Sequence, residues 1–368
     1  MPLVNFSNVD FDEIKQSIKD YLRANSNFTD YDFEGSNLST IIDTLAYNTY
    51  ISSYNANMVS NEVFLDSATL RENVVSIARN IGYLPRSRKS SKASVSFSVN
   101  ASDSNVVSMT LKAGPVVLSG SNFNRQSFTF CIMEDITAVV DSDGIATFDN
   151  VYVCEGSYLN STFTVDSSLP NQRFILPNSG IDTSNLNVIV RKSAGNSVTR
   201  KYTRYDNLAG VDGDTPLYFL RESEGETYEL LFGDGLFGKQ LEDANQVEVN
   251  YLSCSGSVSN GVSNFTYIGT LQDQNGASVT SGISGVTVNQ ISSGGAEIES
   301  VESIKKYAPN IYASQNRAVT STDFESLIPR IYPETESVSA FGGEESDPPQ
   351  YGKVFISIKP YNGVFISE

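Results

Sequence analysis

The sequence predicts an α+β protein with an N-terminal helical arm, a β-rich middle domain of antiparallel strands and a small α/β C-terminal region. Two changes of period predict it. Apolar residues recur at helical spacing up to about Pro85, then at every second position from about Ser94 to Gln290. Both patterns return after Gly294-Gly295. The corresponding regions are 1–85, 86–290 and 291–368.

In the first region, Asp10 followed by Glu13 has the form of a capping box, and Phe11, Ile14, Ile18 and Leu22 continue as one helical face. A second helix is expected from near Asn37, where Leu38, Ile41, Ile42, Leu45 and Ala46 make an apolar stripe. That stripe thins into Tyr50, Ser53, Ala56 and Asn57, small or polar groups that contribute little burial. Asp66 is placed to cap a third helix carrying Leu70, Val74, Ile77, Ala78 and Ile81, with Gly82 at its left-handed exit and Pro85 beyond. Such helices make a thin core and gain stability by packing on something else. The candidate bundle interface is therefore Leu38, Ile41, Ile42, Leu45, Leu70, Val74 and Ile77; the competing reading is an ordinary intrachain core.

The middle region alternates. Val95, Phe97 and Val99 are interleaved with serines, Phe128 and Phe130 flank Thr129, Val188 and Val190 flank Ile189, and Val247, Val249 and Tyr251 alternate with Glu248 and Asn250. Asp143-Gly144, Asp212-Gly213, Asp234-Gly235, Asn260-Gly261 and Asn275-Gly276 mark turns. In the last region, Val301, Ile304, Lys305 and Ala308 predict a short helix stopped at Pro309. Thr320 with Asp323 caps a second through Phe324, Leu327 and Ile328, ending before Pro329; Val354, Ile356 and Ile358 then predict a strand.

Composition excludes whole classes of chemistry. The chain has 368 residues, no histidine and no tryptophan, so Ser-His-Asp and Cys-His catalysis and histidine zinc sites are ruled out. The net charge of −18 opposes nucleic acid as a main partner. The basic run Arg86, Arg88, Lys89 and Lys92 reads as a solvated linker against a local phosphate contact. Cys131, Cys154 and Cys254 form no CxxC pair, are odd in number, and fit one or two buried thiols in a reducing compartment better than a disulfide framework. No apolar run approaches a membrane span and Met1 opens no leader, so the chain is expected to be soluble.

Gly233-Asp234-Gly235-Leu236-Phe237-Gly238 fits the dinucleotide pattern G-x-G-x-x-G, but a strand follows where that site needs a helix, so a tight hairpin is expected. Asp141-x-Asp143-Gly144 and Asp212-x-Asp214 lack the remaining ligands and helices of a calcium loop and also read as turns. No residue is selected as catalytic, cofactor-binding or metal-binding. A histidine-free glycosidase built on paired carboxylates is permitted, and a secreted β-rich adhesin or receptor-binding protein would account for the abundant Ser, Asn and Tyr.

Two stretches resemble one family. The first runs from Tyr228 through Gly233-Asp234-Gly235-Leu236-Phe237-Gly238-Lys239 and Val247 to Leu252, then Ser259-Asn260-Gly261. The second is Ser293-Gly294-Gly295-Ala296-Glu297, Glu299-Ser300, Lys305, Ala308-Pro309 and Asn316-Arg317-Ala318-Val319-Thr320, followed by Asp323-Phe324. Together they resemble the baseplate J-like proteins, wedge components of contractile phage tails, and the first 85 residues resemble wedge proteins of T-even-type phages. The resemblance implies a non-enzymatic structural protein without cofactors, located in the virion tail baseplate and assembled in the host cytoplasm. It also implies pairing with a second copy, helical bundling with other wedge proteins, a ring around the central hub and a part in triggering sheath contraction. Gly233, Asp234, Gly235, Gly238, Gly294 and Gly295 become structural turn residues, Gly233 and Gly235 through positive φ, while Arg317 and Thr320 fix the loop entering the helix at Asp323. T-even-type relatives continue well beyond a point like Lys359-Pro360 into a region used for pairing, whereas this chain stops at Glu368. It is therefore expected either to be truncated or to follow the shorter members.

Overall fold

A computed structural model describes residues 10–24, 36–101, 105–120, 126–169, 172–205, 211–315, 317–332 and 335–360. Asn316 of the second motif lies outside them. The architecture is mixed α+β, with N-terminal helices, antiparallel sheets in the middle and helix plus strands near the end. The chain divides into two compact units: residues 1–83 with 301–309, and residues 84–300 with 310–368.

The smaller unit is built on α1 (Phe11–Ala24), α2 (Asn37–Glu62) and α3 (Arg71–Asn80). Asp10 Oδ1 accepts from the N–H groups of Asp12 and Glu13, and Ser36 Oγ from that of Ser39, so both long helices start on a side-chain cap. Lys15 and Asp43 form an ion pair at 2.6 Å between α1 and α2. The expected cap of α3 is corrected. Leu70, not Asp66, occupies the N-cap position and supplies no side-chain bond. Glu62, at the end of α2, accepts instead from Thr69 N (2.8 Å), Thr69 Oγ1 (2.6 Å), Leu70 N (3.3 Å) and Asn73 Nδ2 (2.8 Å). One carboxylate thus ties the end of one helix to the start of the next. Lys305 Nζ also bonds the Asp66 carbonyl at 3.2 Å.

The larger unit contains all the described strands. In chain order they are β1 (Lys92–Asn100), β2 (Ser108–Leu111), β3 (Gly114–Ser119), β4 (Thr129–Ile132), β5 (Ile136–Val139), β6 (Ile145–Glu155) and β7 (Ser157–Thr164). Then follow β8 (Phe174–Leu176), β9 (Asn187–Arg191), β10 (Thr199–Arg204), β11 (Leu217–Glu222), β12 (Tyr228–Phe232) and β13 (Gln246–Ser253). The last group is β14 (Phe265–Tyr267), β15 (Leu271–Asp273), β16 (Ser278–Val279), β17 (Thr287–Ser293), β18 (Thr335–Gly342) and β19 (Val354–Pro360).

A six-stranded sheet, β14-β3-β4-β6-β1-β17, and a four-stranded sheet, β16-β15-β2-β5, share the first core. Val95, Phe97 and Val99 enter it together, and Phe97 stacks on Phe148 with ring centres 5.0 Å apart. A seven-stranded sheet, β7-β13-β9-β10-β11-β12-β8, holds the second around Val188, Val190, Val247, Val249 and Tyr251. All described pairings are antiparallel except β10 with β11 and an isolated bridge from Gly233 to Gln240. The chain passes from the first core to the second at Gly156 (φ 144°), where a Cβ would stand 2.8 Å from the Ser253 carbonyl oxygen.

Three expectations change here. The glycine stretch after Phe232 does not close a hairpin: β12 pairs with β11 and β8, while β13 pairs with β7 and β9. The helix expected to stop at Pro309 runs on as α4 (Val301–Ser314), and that expected to end before Pro329 continues as α5 (Ser321–Ile331). A proline removes one backbone bond from a helix without ending it when the flanking turns are held. At α5 that support is visible: Arg86 Nη1 donates to the Pro329 carbonyl at 2.9 Å.

The Glu62 cap yields a prediction. Its four donors hold the carboxyl down from 4.5 to about 2. A depressed carboxylate stabilises the fold above its unfolded value and loses that contribution as pH falls through the folded one. Glu62→Gln is expected to cost about 1–2 kcal/mol at neutral pH. In urea titrations, the difference from wild type should shrink between pH 4.5 and about 2.

Candidate assembly surfaces and the motif junction

The helical unit has an unusual inside and outside. Its buried apolar side chains are the alanines Ala46, Ala68, Ala78 and Ala308 together with Ile42, Val74, Val75, Tyr83 and Ile304. Large apolar side chains stand in water on α2. Ile41 is 54% and Leu45 50% exposed, and Val59 and Val63 continue the same helical line. A second line runs through Tyr47, Ile51, Tyr54 and Met58, spaced four, three and four residues apart as in a coiled-coil seam; Tyr47, Tyr54 and Met58 are exposed and Ile51 half-buried. These side chains lie apart from the stripe through Tyr50, Ser53 and Asn57, which turns toward the inside.

The seven residues singled out for a bundle separate accordingly. Ile41, Leu45 and Leu70 are exposed, Leu38 and Ile77 half-buried, and Ile42 and Val74 buried. Ile42 and Val74 thus belong to the unit's own interior. The 4-3-4 spacing from Tyr47 to Met58 was present in the sequence but carries tyrosines where a simple aliphatic count finds nothing.

The glycine motifs form two backbone constructions in the larger unit. In the first, the turn 233–239 locks against the loop 211–215. Gly238 N–H donates to the Asp212 carbonyl (3.0 Å), Lys239 N–H to that of Thr215 (2.8 Å), and Gly235 N–H to that of Gly238 (3.0 Å). Gly235 and Gly238 take φ of 87° and 86°, but Gly233 does not have positive φ. Its requirement is steric, since a Cβ there would lie 2.2 Å from Gly238 backbone atoms. Gly213 likewise abuts the Gly235 carbonyl oxygen, at 2.2 Å. Asp234 Oδ1 accepts the N–H groups of Leu236 and Phe237, both at 2.9 Å, and these bonds hold its carboxyl below the usual range.

The second construction joins the two β cores. Residues 86–92 run antiparallel to 293–299 in one constant register: Lys92 faces Ser293, Lys89 faces Ala296, and Glu299 N–H donates to the Arg86 carbonyl. Arg88 pairs with Glu297 (3.2 Å), and Glu299, its side chain buried, accepts from Arg86 N–H (2.9 Å). Two of the four residues in the basic run are therefore paired with acids of the second motif. Gly294 has φ 83°, and a Cβ on Gly295 would lie 2.3 Å from the Gly256 carbonyl oxygen. The Asn260 side chain both donates to and accepts from the Gly295 backbone, at 2.9 and 2.8 Å.

Two buried carboxylates complete the junction. Asp182 accepts from the N–H and hydroxyl of Ser90, the N–H and hydroxyl of Ser184, and the Asn185 amide. Glu155 accepts from Ser255 N–H (2.9 Å) and Ser259 Oγ (3.3 Å), while Ser259 Oγ also meets Ser91 Oγ at 2.7 Å. Burial raises the Glu155 carboxyl against the bonds that lower it. Cys131 and Cys254 are buried, and burial pushes both thiols up to about 12, where they are poor nucleophiles. Thr320 and Asp323 form a reciprocal capping box on α5. Arg317 is exposed, and its N–H donates to the Ser314 carbonyl at 2.9 Å.

Among the described residues, no group of three or more acidic or cysteine side chains is placed to hold a metal ion, and no helix is long and apolar enough to cross a membrane.

Comparison with known proteins adds an independent line. The helical domain of gp6-like baseplate wedge proteins matches residues 10–83, and C-terminal domain I of the baseplate structural protein gp6 matches residues 320–368. Baseplate wedge protein gp6 of Enterobacteria phage T4 is 25% identical over 384 aligned residues, covering 97% of this chain and 54% of that protein. The chain thus spans about half the length of this curated relative. A chain of the anti-feeding prophage baseplate shares 15% identity at a TM-score of 0.30, covering 89% of this chain and 57% of that one, a likeness too slight to inform the fold. The resemblance to T-even-type wedge proteins therefore holds at both ends of the chain; of the two J-like stretches, 228–261 and 293–319 fall between the matched domains, and only Thr320, Asp323 and Phe324 lie within one.

The junction yields two predictions. A carboxyl raised by burial destabilises the fold while ionised, and stability returns as pH falls through the raised value toward 4.5. Glu155→Gln is expected to match or exceed wild-type stability at neutral pH, with the difference closing as pH drops to 4.5; calorimetry across that range reads it. Gly295→Ala is expected to cost about 2 kcal/mol or more in denaturant titration, because backbone, not a flexible side chain, blocks its Cβ.

Proposed function

We propose that this chain is a non-enzymatic structural subunit of a phage tail baseplate wedge, located in the virion baseplate. The carrying observation is the exposed apolar surface of α2, which lies in the region matching the wedge helical domain. Helices that carry large apolar side chains on their outer faces are stabilised when other helices cover those faces. On this reading, 1–85 is the bundle-forming arm. Ile41, Leu45 and the line from Tyr47 to Met58 meet helices of other wedge proteins, while Leu38, Leu70 and Ile77 stand at the margin.

The finer parts of the reading follow from the same likeness. The chain pairs with a second copy, and the pairs join a ring around the central hub, assembled in the host cytoplasm, that helps pass on the trigger for sheath contraction. The motif residues Gly233, Asp234, Gly235, Gly238, Gly294, Gly295, Arg317, Thr320 and Asp323 act as fold elements, not as a ligand site. The net charge of −18 supports protein partners over nucleic acid.

The test is a triple variant, Ile41→Glu, Leu45→Glu and Val59→Glu. Because the three side chains are exposed, the isolated chain should keep its stability within about 0.5 kcal/mol per site. Incorporation into baseplates, read by quantitative mass spectrometry of purified particles, should fall at least about tenfold, the loss expected when central apolar contacts are removed. Full incorporation of the triple variant would overturn the reading.

A further inference from the structure

We infer that Leu236 and Phe237 form a rigid docking knob for another protein, one presenting an apolar socket rimmed by Lys or Arg. The two side chains are consecutive at the tip of the locked turn, 74% and 52% exposed. Large apolar residues at a loop tip are normally free to fold back; these are held outward. Their N–H groups are fixed by Asp234, the turn is closed by the bond from Gly235 to Gly238, and it is bound to a second loop by the bonds from Gly238 and Lys239. Gly233 and Gly213 admit backbone contacts that no other residue would permit.

Several glycines and a capping acid thus fix the backbone that carries two exposed apolar side chains. An aromatic and an aliphatic anchor on a fixed backbone lose less entropy on binding than the same pair on a mobile loop. The surrounding charge selects the partner. Asp212, Asp214 and Asp234 are exposed on the two interlocked loops and outnumber the half-buried Lys239 at the end of the turn. Asp212 Oδ1 accepts from Asp214 N–H (3.1 Å) and Thr215 Oγ1, so its charge is held in place as part of the loop. A socket with an acidic rim would be repelled, and one with a cationic rim would be drawn in and oriented.

The inference rests on the chain's assembly with other proteins, as proposed above, and the test separates the two. Phe237→p-benzoylphenylalanine is introduced into the full chain in assembling particles, and Val59→p-benzoylphenylalanine into a parallel sample. After irradiation of purified baseplates, the expected product of the first is a crosslink to a peptide carrying Lys or Arg beside apolar residues. Its yield should fall about tenfold with Leu236→Ser, the loss of one central anchor. With Asp214→Asn it should fall about threefold, as for one exposed charge pair. Both changes are at exposed positions and should leave the melting temperature within about 2 °C. No crosslink from position 237, one to a peptide lacking cationic residues, or a yield indifferent to both changes overturns the knob. A product from position 59 in the same experiment shows that only the knob has failed; its absence shows that the assembly reading fails with it.

Discussion

Carboxylates that accept backbone N–H groups where strands and helices change direction are the constraint on which this structure depends. At the junction of the two β cores, the chain leaves its ladders at buried Ser90, at half-buried Ser255 and at the turn of Ser184, and a buried N–H such as that of Ser90 left without an acceptor would cost a few kcal/mol. Asp182 and Glu155 supply the acceptors from inside. The same device recurs outside: Glu62 receives the start of α3, Asp141 the turn before β6, Asp234 the glycine turn and Asp273 the turn before β16. Much of the acidity that the composition shows is therefore structural. It serves turns first, and repels polyanions as a consequence.

That dependence also explains what could be read from the residues alone. Val95, Phe97 and Val99, or Val247, Val249 and Tyr251, report a strand because one sheet face is apolar and buried while the alternate positions Ser96, Ser98, Glu248 and Asn250 are polar, and the period of two follows. Partners are not written in that period. Nothing in the alternation of Tyr228–Phe232 or Gln246–Ser253 says that these strands, joined by a glycine turn, lie apart in the sheet with β9, β10 and β11 between them. Local chemistry likewise pointed to Asp66 as the cap of α3, whereas the acceptor comes from Glu62, at the end of the preceding helix. Pro309 and Pro329 read as stops because the tertiary support of the helices around them, such as Arg86 on the Pro329 carbonyl, is distant in sequence.

Glycine illustrates the same limit. Gly235 and Gly294 occupy positive φ, the usage that a sequence reader expects. Gly233 and Gly295 have ordinary dihedrals and are required because another backbone passes where their Cβ would be. A motif such as Ser293-Gly294-Gly295-Ala296-Glu297 therefore mixes two physical demands. One belongs to the local chain, and the other to residues some forty positions away around Gly256 and Asn260. Only the first demand is visible without coordinates, which is why the motif suggested a turn but not the ribbon that it forms with residues 86–92.

The helical unit follows a different logic, and here the reading by period was incomplete in an informative way. Looking for one aliphatic stripe found Ile42 and Val74, which face inward, along with Ile41 and Leu45, which do not. Helices packed through alanine approach closely but bury little area, and at about 25 cal/mol per Å² little area means little stabilisation. Larger apolar side chains stand exposed on the same helix at Tyr47, Tyr54, Met58 and Val59, while Ser39, Asn57 and Asn61 are buried. Keeping small and polar groups inside and the large apolar ones outside makes sense when the outside is the surface that a second set of helices will cover.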